Sequence, residues 1–337
     1  MLFNLNRRSL LAGLGASTAV ATLGTSSLAQ TGSVRIGTSS VGSVFYTLAV
    51  GAGEIIRDVA GINTTVEPVG GSAANINGIA RGDIDFAIAN SYSAFTGYTG
   101  TDAFPASIDI RLVMQGHPSN RFMFVRTGSG IESPADLNGR TIIGERRALP
   151  ELRLVMDAMI EHYGLDASSI NVVSTTNTGE ALDAMRAGSV DAVIMPFSPR
   201  TAQIEEPMRD GVMTFLPMAE ADRDAILDKL PPAFYGRTQP SNEFTNQPDA
   251  VSLFALNTYM ICSPDVDDET MYNVASAMFS NNERFITYHG TARAWTAKNA
   301  VKNFALPFHT GVIRYLTEAG LWGAEESARQ QRLLDLV

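Results

Sequence analysis

Hydroxyl, amide and guanidinium side chains gather at a few places in this sequence, and all of them suit an anion. Thr38-Ser39-Ser40-Val41-Gly42-Ser43 and Gly70-Gly71-Ser72 each precede a stretch with helical spacing. Backbone N–H groups at a helix start lack partners within the helix, and the helix dipole favours negative charge there. Ser72 also has the character of a helix N-cap. Asn90-Ser91-Tyr92-Ser93, Glu145-Arg146-Arg147 and Pro196-Phe197-Ser198 each follow a strand-like apolar run. Arg146 or Arg147 could grip a carboxylate through two parallel N–H···O bonds, the alternative being a solvated surface pair. Tyr46 and Tyr92 either wall such a pocket or pack within the fold. Together Ser39, Ser40, Tyr46, Ser72, Asn90, Ser91, Arg146, Arg147 and Ser198 outline a pocket for a small polar anion.

Signs of catalysis are scarce. The sequence has no GxxxxGK(S/T), no GxSxG and no HExxH pattern, and Gly51-x-Gly53-x-x-Ile56 lacks the third glycine of a dinucleotide fingerprint. The four histidines, His117, His162, His289 and His309, are widely separated and read as structural. Asp83 and Asp85 resemble a carboxylate dyad, but a Gly-Asp turn entering a strand accounts for them. Cys262 is the single cysteine, so an intrachain disulfide is impossible, and its apolar surroundings suggest a reduced core residue. The expectation is a binding protein, not an enzyme, with no cofactor and no metal.

The elements that would position these groups alternate strand and helix. Val34–Gly37, Thr64–Pro68 and Asp83–Ala89 read as strands, with helices over Phe45–Val59 and around Ile76–Ala80 between them. The pattern recurs with a strand over Leu137–Gly144, a helix carrying Leu152, Val155, Met156, Met159, Ile160 and Tyr163, a strand at Ile170–Ser174 and a helix capped by Thr178. Gly82-Asp83-Ile84-Asp85 and Gly188-Ser189-Val190-Asp191 each lead into an apolar strand, 106 residues apart. Such repetition predicts an α/β protein of two similar lobes joined by crossing strands, with a ligand cleft between the lobes. Arg111–Gln115 and Phe122–Arg126 read as crossing strands with a turn at Gly116–Asn120. Pro231–Asp249, with four prolines, reads as a long loop, and Val251–Cys262 as the strand that returns the chain to the first lobe. Helices near Asp267–His289 and Gly311–Ala319 complete that lobe. The expected division is 30–125 for the first part of lobe 1, 126–249 for lobe 2, and 250–337 for the return strand and C-terminal helices of lobe 1.

The chain has 337 residues, 45% of them apolar and 18% charged, with a formal net charge of −10. A polyanion is repelled by nucleic acid and by anionic membrane surfaces, so neither is an expected partner. Only Lys229, Lys298 and Lys302 are lysines among the 25 basic residues, which leaves planar recognition of anions to arginine. Residues 1–29 contain Arg7 and Arg8, no acid, an apolar stretch, and Ser27-Leu28-Ala29 at a cleavage-like end. This reads as an export signal of twin-arginine character. Removing it would leave 308 residues with 23 basic and 35 acidic side chains, a net charge of −12. The expected location is the periplasm.

Ile36-Gly37-Thr38-Ser39-Ser40-x-Gly42-Ser43-x-x-Tyr46, Gly70-Gly71-Ser72-x-x-Asn75 and Gly82-x-x-Asp85-Phe86-x-Ile88-x-Asn90-Ser91 resemble the solute receptors of TRAP transporters, the TAXI family in particular. Ser133-x-x-Asp136-Leu137-x-Gly139-Arg140, Gly188-x-x-Asp191-Ala192 and Pro307-Phe308-His309-x-Gly311-x-x-x-Tyr315 agree, so the resemblance runs from about Ser33 to Gly320. It implies the two-lobed periplasmic-binding-protein (type II-like) fold and a monomeric periplasmic receptor that closes on a small organic acid (glutamate-like, 2-oxoacid or dicarboxylate) and delivers it to a TRAP-type membrane permease. A ligand sensor for a membrane signalling protein would use the same fold, as, more remotely, would an enzyme. Carried over by position, Ser39, Ser40, Tyr46, Ser72, Asn75, Asn90 and Ser91 become lobe 1 contacts. The sequence departs from the family at Gly144-Glu145-Arg146-Arg147-Ala148-Leu149-Pro150, where a Gly/Ser-rich loop is usual, and at Thr310, where proline is common.

Overall fold

The computed structural model describes residues 33–39, 41–146, 149–197 and 202–337. The export-signal segment, Ser40, Arg147 and Ser198 lie outside the described residues.

Short apolar strands alternate with amphipathic helices from the start. β1 (Val34–Thr38), α1 (Val44–Ala60), β2 (Thr64–Pro68), α2 (Ser72–Ala80), β3 (Phe86–Asn90) and α3 (Ser91–Thr99) form one unit of parallel strands. β4 (Arg111–Arg126) follows as a single 16-residue strand. β5 (Thr141–Glu145), α4 (Glu151–His162), β6 (Asn171–Ser174), α5 (Thr178–Ala187) and β7 (Ala192–Phe197) repeat the parallel pattern. α6 (Ala202–Arg209), β8 (Met213–Phe215), α7 (Glu220–Leu227) and β9 (Tyr235–Gln239) lead to β10 (Val251–Cys262). The helices α8 (Asp268–Ser280), α9 (Asn282–Tyr288), α10 (Ala297–Ala300), α11 (Thr310–Glu318) and α12 (Ala324–Leu334) end the chain. The strand order is β2-β1-β3-β10-β4-β7-β5-β6, with β8 beside β4 and β9 beside β10. The α/β class and two-lobed architecture expected from the repeat are those of the structure.

Two hydrophobic cores flank this sheet. One holds Ile36, Phe86, Leu112–Met114, Tyr259–Cys262 and most of the C-terminal helices. The other holds Phe122–Val125, Ile142, Val193–Met195, Leu253, Phe254 and Leu256. The chain therefore passes from the first core to the second within β4 and returns within β10. Between the cores both strands are polar yet buried: Gln115, His117, Asn120 and Arg121 in β4, Asn257 and Thr258 in β10.

The repeat has a shared structural purpose. Asp85 accepts from the Arg35 backbone N–H (2.8 Å) and from its guanidinium (3.1 and 3.2 Å). Asp191 accepts from the Thr141 N–H (3.1 Å) and the Arg126 guanidinium (3.0 Å). Each aspartate thus ties the start of one central strand to its neighbour, while Asp83 pairs only with exposed Arg81.

Some expected details change. Gly116–Asn120 is not a turn but the middle of β4. Trp295 covers Gly116 so closely that a Cβ there would lie 2.0 Å from its ring, and Pro118 sits at the irregularity where β4 meets Asn257 and Tyr259. Within the proline-rich 231–249 segment, β9 pairs along Val251–Ala255 of β10. The Leu137–Gly144 strand begins only at Thr141, because Pro134–Leu137 form a 3-10 turn. Gly71, at φ 114°, caps α2 in place of Ser72, Asn177 caps α5 in place of Thr178, and His309 caps α11 through its Nδ1. Cys262 is wholly buried, and burial pushes its thiol pKa well up, as expected of an inert core residue.

Candidate functional site

Among the described residues, six buried side-chain atoms without a hydrogen-bond partner lie at the carboxyl ends of the parallel strands, in the helix turns that follow, or on the polar strip of β4. They are Thr38 Oγ1, Asn75 Oδ1, Asn120 Nδ2, Arg146 Nε, Glu151 Oε2 and Thr175 Oγ1. Folded proteins satisfy the great majority of such groups, so a concentration of exceptions marks a place where something else completes the bonding. The seventh such atom, Gln115 Oε1, belongs to a side chain already donating to Asn299 O and Lys302 O.

In the first half, the expected site residues are drawn together, and most are already bonded to one another. The Asn90 N–H donates to Ser72 Oγ (3.0 Å), joining the end of β3 to the start of α2. Asn90 Oδ1 accepts from Ser93 N–H (2.7 Å) and caps α3. Asn75 is fully buried and donates to Ile88 O (2.8 Å), which leaves its oxygen as the free end. Ser39 follows β1 and faces Gly71, whose hypothetical Cβ would lie 4.0 Å from Ser39 Oγ. Tyr46 stands half-buried in the first turn of α1, its N–H donating to Ser43 Oγ (3.1 Å). Ser91 is wholly buried, donating to Ala233 O (3.2 Å) and accepting from Asn257 N–H (3.0 Å), so it clasps β10. Tyr92 packs on Phe234, with ring centroids 5.7 Å apart.

In the second half the polar groups are charged. Arg146, just after β5, keeps only 7% of its surface exposed. Its Nη1 donates to Thr178 Oγ1 (3.2 Å), and its Nε has no partner. Burial, and secondarily the charge of Arg121, lowers its pKa, although Glu151 and Glu180 act in the opposite sense. Arg121 and Glu151, 2% and 0% exposed, form a buried ion pair with Nη2 to Oε1 at 2.7 Å. Arg121 Nη1 also donates to Ser119 Oγ (2.7 Å). The Glu151 carboxylate is bonded by Arg121, and its charge also acts on the Arg146 guanidinium. Sequence reasoning missed Arg121 and Glu151, since one opens an apolar strand and the other looks like an ordinary acid in a first helical turn. Only the position of Glu151, shortly after Arg146 in the sequence, was an available signal.

Among the described residues there is no cluster of three histidine, cysteine or acidic side chains that could hold a metal, and no helix is long and apolar enough to cross a membrane. A polar pocket between α6 and residues 242–246 contains none of the expected site residues. Glu205, one of its walls, is occupied by Thr245.

Buried polar groups at the strand ends of two α/β halves, joined by crossing strands, define the periplasmic-binding-protein class of fold. The chain belongs to the NMT1-like family, whose model matches residues 36–320. It is similar in structure to PhnD1 from Prochlorococcus marinus in complex with methylphosphonate, with 8% identity, TM-score 0.54, and coverage of 86% of this chain and 99% of that one. It is similar also to MatC from Rhodopseudomonas palustris with bound malate (11% identity, TM-score 0.50, coverage 90% and 98%). A putative periplasmic sulfonate-binding protein, SsuA, of an ABC transporter from Methylobacillus flagellatus matches at 16% identity and TM-score 0.50, with coverage of 90% and 95%.

Proposed function

We propose that this chain is a periplasmic solute receptor of a TRAP-type transporter, of the TAXI kind, which captures a small carboxylate by lobe closure and hands it to a membrane permease. The observation that carries this reading is the set of unpartnered buried polar atoms shared between both halves and the strip joining them, with the Arg146 guanidinium among them. A ligand bonded to both halves favours the closed state by its differential affinity for it. In this reading Arg146 is the anion anchor, Ser39, Tyr46, Ser72, Asn75 and Asn90 are the contacts from lobe 1, and Ser40, Arg147 and Ser198 are further contacts. Ser91 contributes by holding the crossing strand. The names of the three structural relatives mention malate, methylphosphonate and sulfonate, all small organic anions, which supports an anion here. The first 29 residues supply the export signal, and the receptor works as a monomer, without catalysis.

The test is calorimetric titration of the purified protein with amino acids, hydroxy acids, oxo acids and dicarboxylates. A binding acid at 100-fold its Kd stabilises the fold by about 2.7 kcal/mol. No heat and no thermal shift with any acid contradicts the carboxylate reading. Uptake of the bound acid that disappears on deletion of the gene, and that follows an ion gradient, supports the TRAP permease. ATP-dependent uptake would assign the receptor to an ABC system, and unchanged uptake would favour a sensor.

A further inference from the structure

The bonding left open around Arg146 says more about the ligand than its charge. Glu151 is a fully buried carboxylate. Its Oε1 receives both Arg121 Nε (3.2 Å) and Arg121 Nη2 (2.7 Å), while Oε2 receives nothing. An ionised carboxylate only accepts hydrogen bonds and a guanidinium only donates them. The Glu151 and Arg121 charges both act on the Arg146 guanidinium, so the three groups share one electrostatic environment. A bare carboxylate ligand would satisfy Arg146 and leave Glu151 Oε2 both unbonded and repelled. The opposite half also holds an open acceptor. Asn75 uses one of its two amide N–H groups on Ile88 O, and its Oδ1 has no partner.

The Glu151 and Asn75 oxygens accept only, whereas Arg146 Nε and Asn120 Nδ2 donate and the Thr38 and Thr175 hydroxyls can do either. A carboxylate alone therefore leaves the two acceptors unmet, and a ligand that also bears an O–H or N–H meets them. We propose that Glu151 is a specificity-determining residue, its free oxygen accepting a hydrogen bond from a hydroxyl or ammonium group on the acid whose carboxylate Arg146 receives. The preferred ligands are then hydroxy or amino acids. An oxo acid of the same skeleton sets a carbonyl oxygen against an acceptor and is rejected. This rests on the carboxylate reading above and narrows it. Arg121 serves as a positioning residue, turning one edge of Glu151 away and leaving the other free.

The experiment titrates the wild-type protein with two matched sets, alanine, lactate and pyruvate, and glutamate, hydroxyglutarate and oxoglutarate. In whichever set binds, the amino or hydroxy acid is expected to bind at least about tenfold tighter than the oxo acid. Glu151→Gln keeps an oxygen for Arg121 and replaces the free oxygen by an amide that can donate. It is expected to shrink or reverse the preference, whereas a merely structural role would weaken every acid by the same factor. Should the variant not fold, the wild-type series alone decides. Equal or tighter binding of the oxo acids overturns this inference and leaves the carboxylate receptor standing. An unchanged preference in a folded Glu151→Gln protein removes Glu151 from the recognition. No binding by any of the six overturns this inference, and the carboxylate reading falls with it only if the wider panel of acids also gives no heat.

Discussion

Asp85 and Asp191 occupy matching places in the two halves of the sheet, each paired with an arginine (Arg35 and Arg126), yet the strand ends above them differ in kind. In the first half, Ser72, Asn90 and Ser91 are neutral and bonded to protein, with two neutral oxygens, Thr38 Oγ1 and Asn75 Oδ1, left open. In the second, Arg121, Glu151 and Arg146 are buried and charged, with bonding capacity left over on two of the three. Equivalent scaffolds can thus carry a preassembled neutral wall on one side and a charged, incompletely satisfied one on the other. The charged wall holds more than the neutral one for a ligand to gain from or to disturb.

The sharpest contrast is between the two kinds of Arg–acid pair. Arg121→Met should leave Glu151 buried without its counter-charge and cost about 3–5 kcal/mol in urea unfolding. Arg35→Met, at a pair whose arginine side chain is 40% exposed, should cost about 1 kcal/mol or less. Equal losses would break the distinction between a buried charged half and a solvated frame.

The strip joining the halves responds to pH. His117 is buried between Thr258 and Trp295, its Nδ1 accepting from the indole N–H (3.3 Å). Burial, helped by the charge of His289, lowers its pKa from 6.5 to about 4. A base with a depressed folded pKa binds fewer protons folded than unfolded, so stability is fully present above pH 6.5 and falls as the pH drops toward 4. The loss through this group should reach about 3 kcal/mol. A folded His117→Gln protein with the same pH slope as wild type would contradict it.

Smaller effects separate the two walls further. Ser91→Ala leaves the buried Asn257 N–H unpaired and should cost about 1–3 kcal/mol. Thr175→Val removes a buried hydroxyl that bonds to nothing, so ligand-free stability should change by less than about 1 kcal/mol and can rise. If Thr175→Val destabilises as much as Ser91→Ala, the second half is not carrying unmet valences.

Much of the frame was readable from the sequence because its signals are local. Strand and helix alternation, the Gly-x-x-Asp repeat and the uninterrupted 251–262 strand all depend on neighbours in the chain. The failures came where distant residues decide. Gly116-His117-Pro118 has the chemistry of a turn, and pairing with β10, far along the chain, makes it continuous strand, with Trp295 packed over Gly116. β9 was hidden among prolines because it pairs with β10 alone and needs a ladder on one side only. At the site, Arg146 drew attention by residue type, but its partners did not. Arg121 opens the apolar stretch of β4, and Glu151 heads an amphipathic helix whose first turn commonly carries an acid. Only the folded arrangement shows that both are buried.

The most direct test of the account is calorimetric titration of the purified wild-type protein and of Arg146→Met with the same panel of small organic acids. The account predicts a binding isotherm for wild type with at least one acid. Affinity should fall by about tenfold or more in Arg146→Met, while the protein remains as stable as wild type without ligand. Undiminished affinity in Arg146→Met, or no binding by wild type to any acid in the panel, would contradict it.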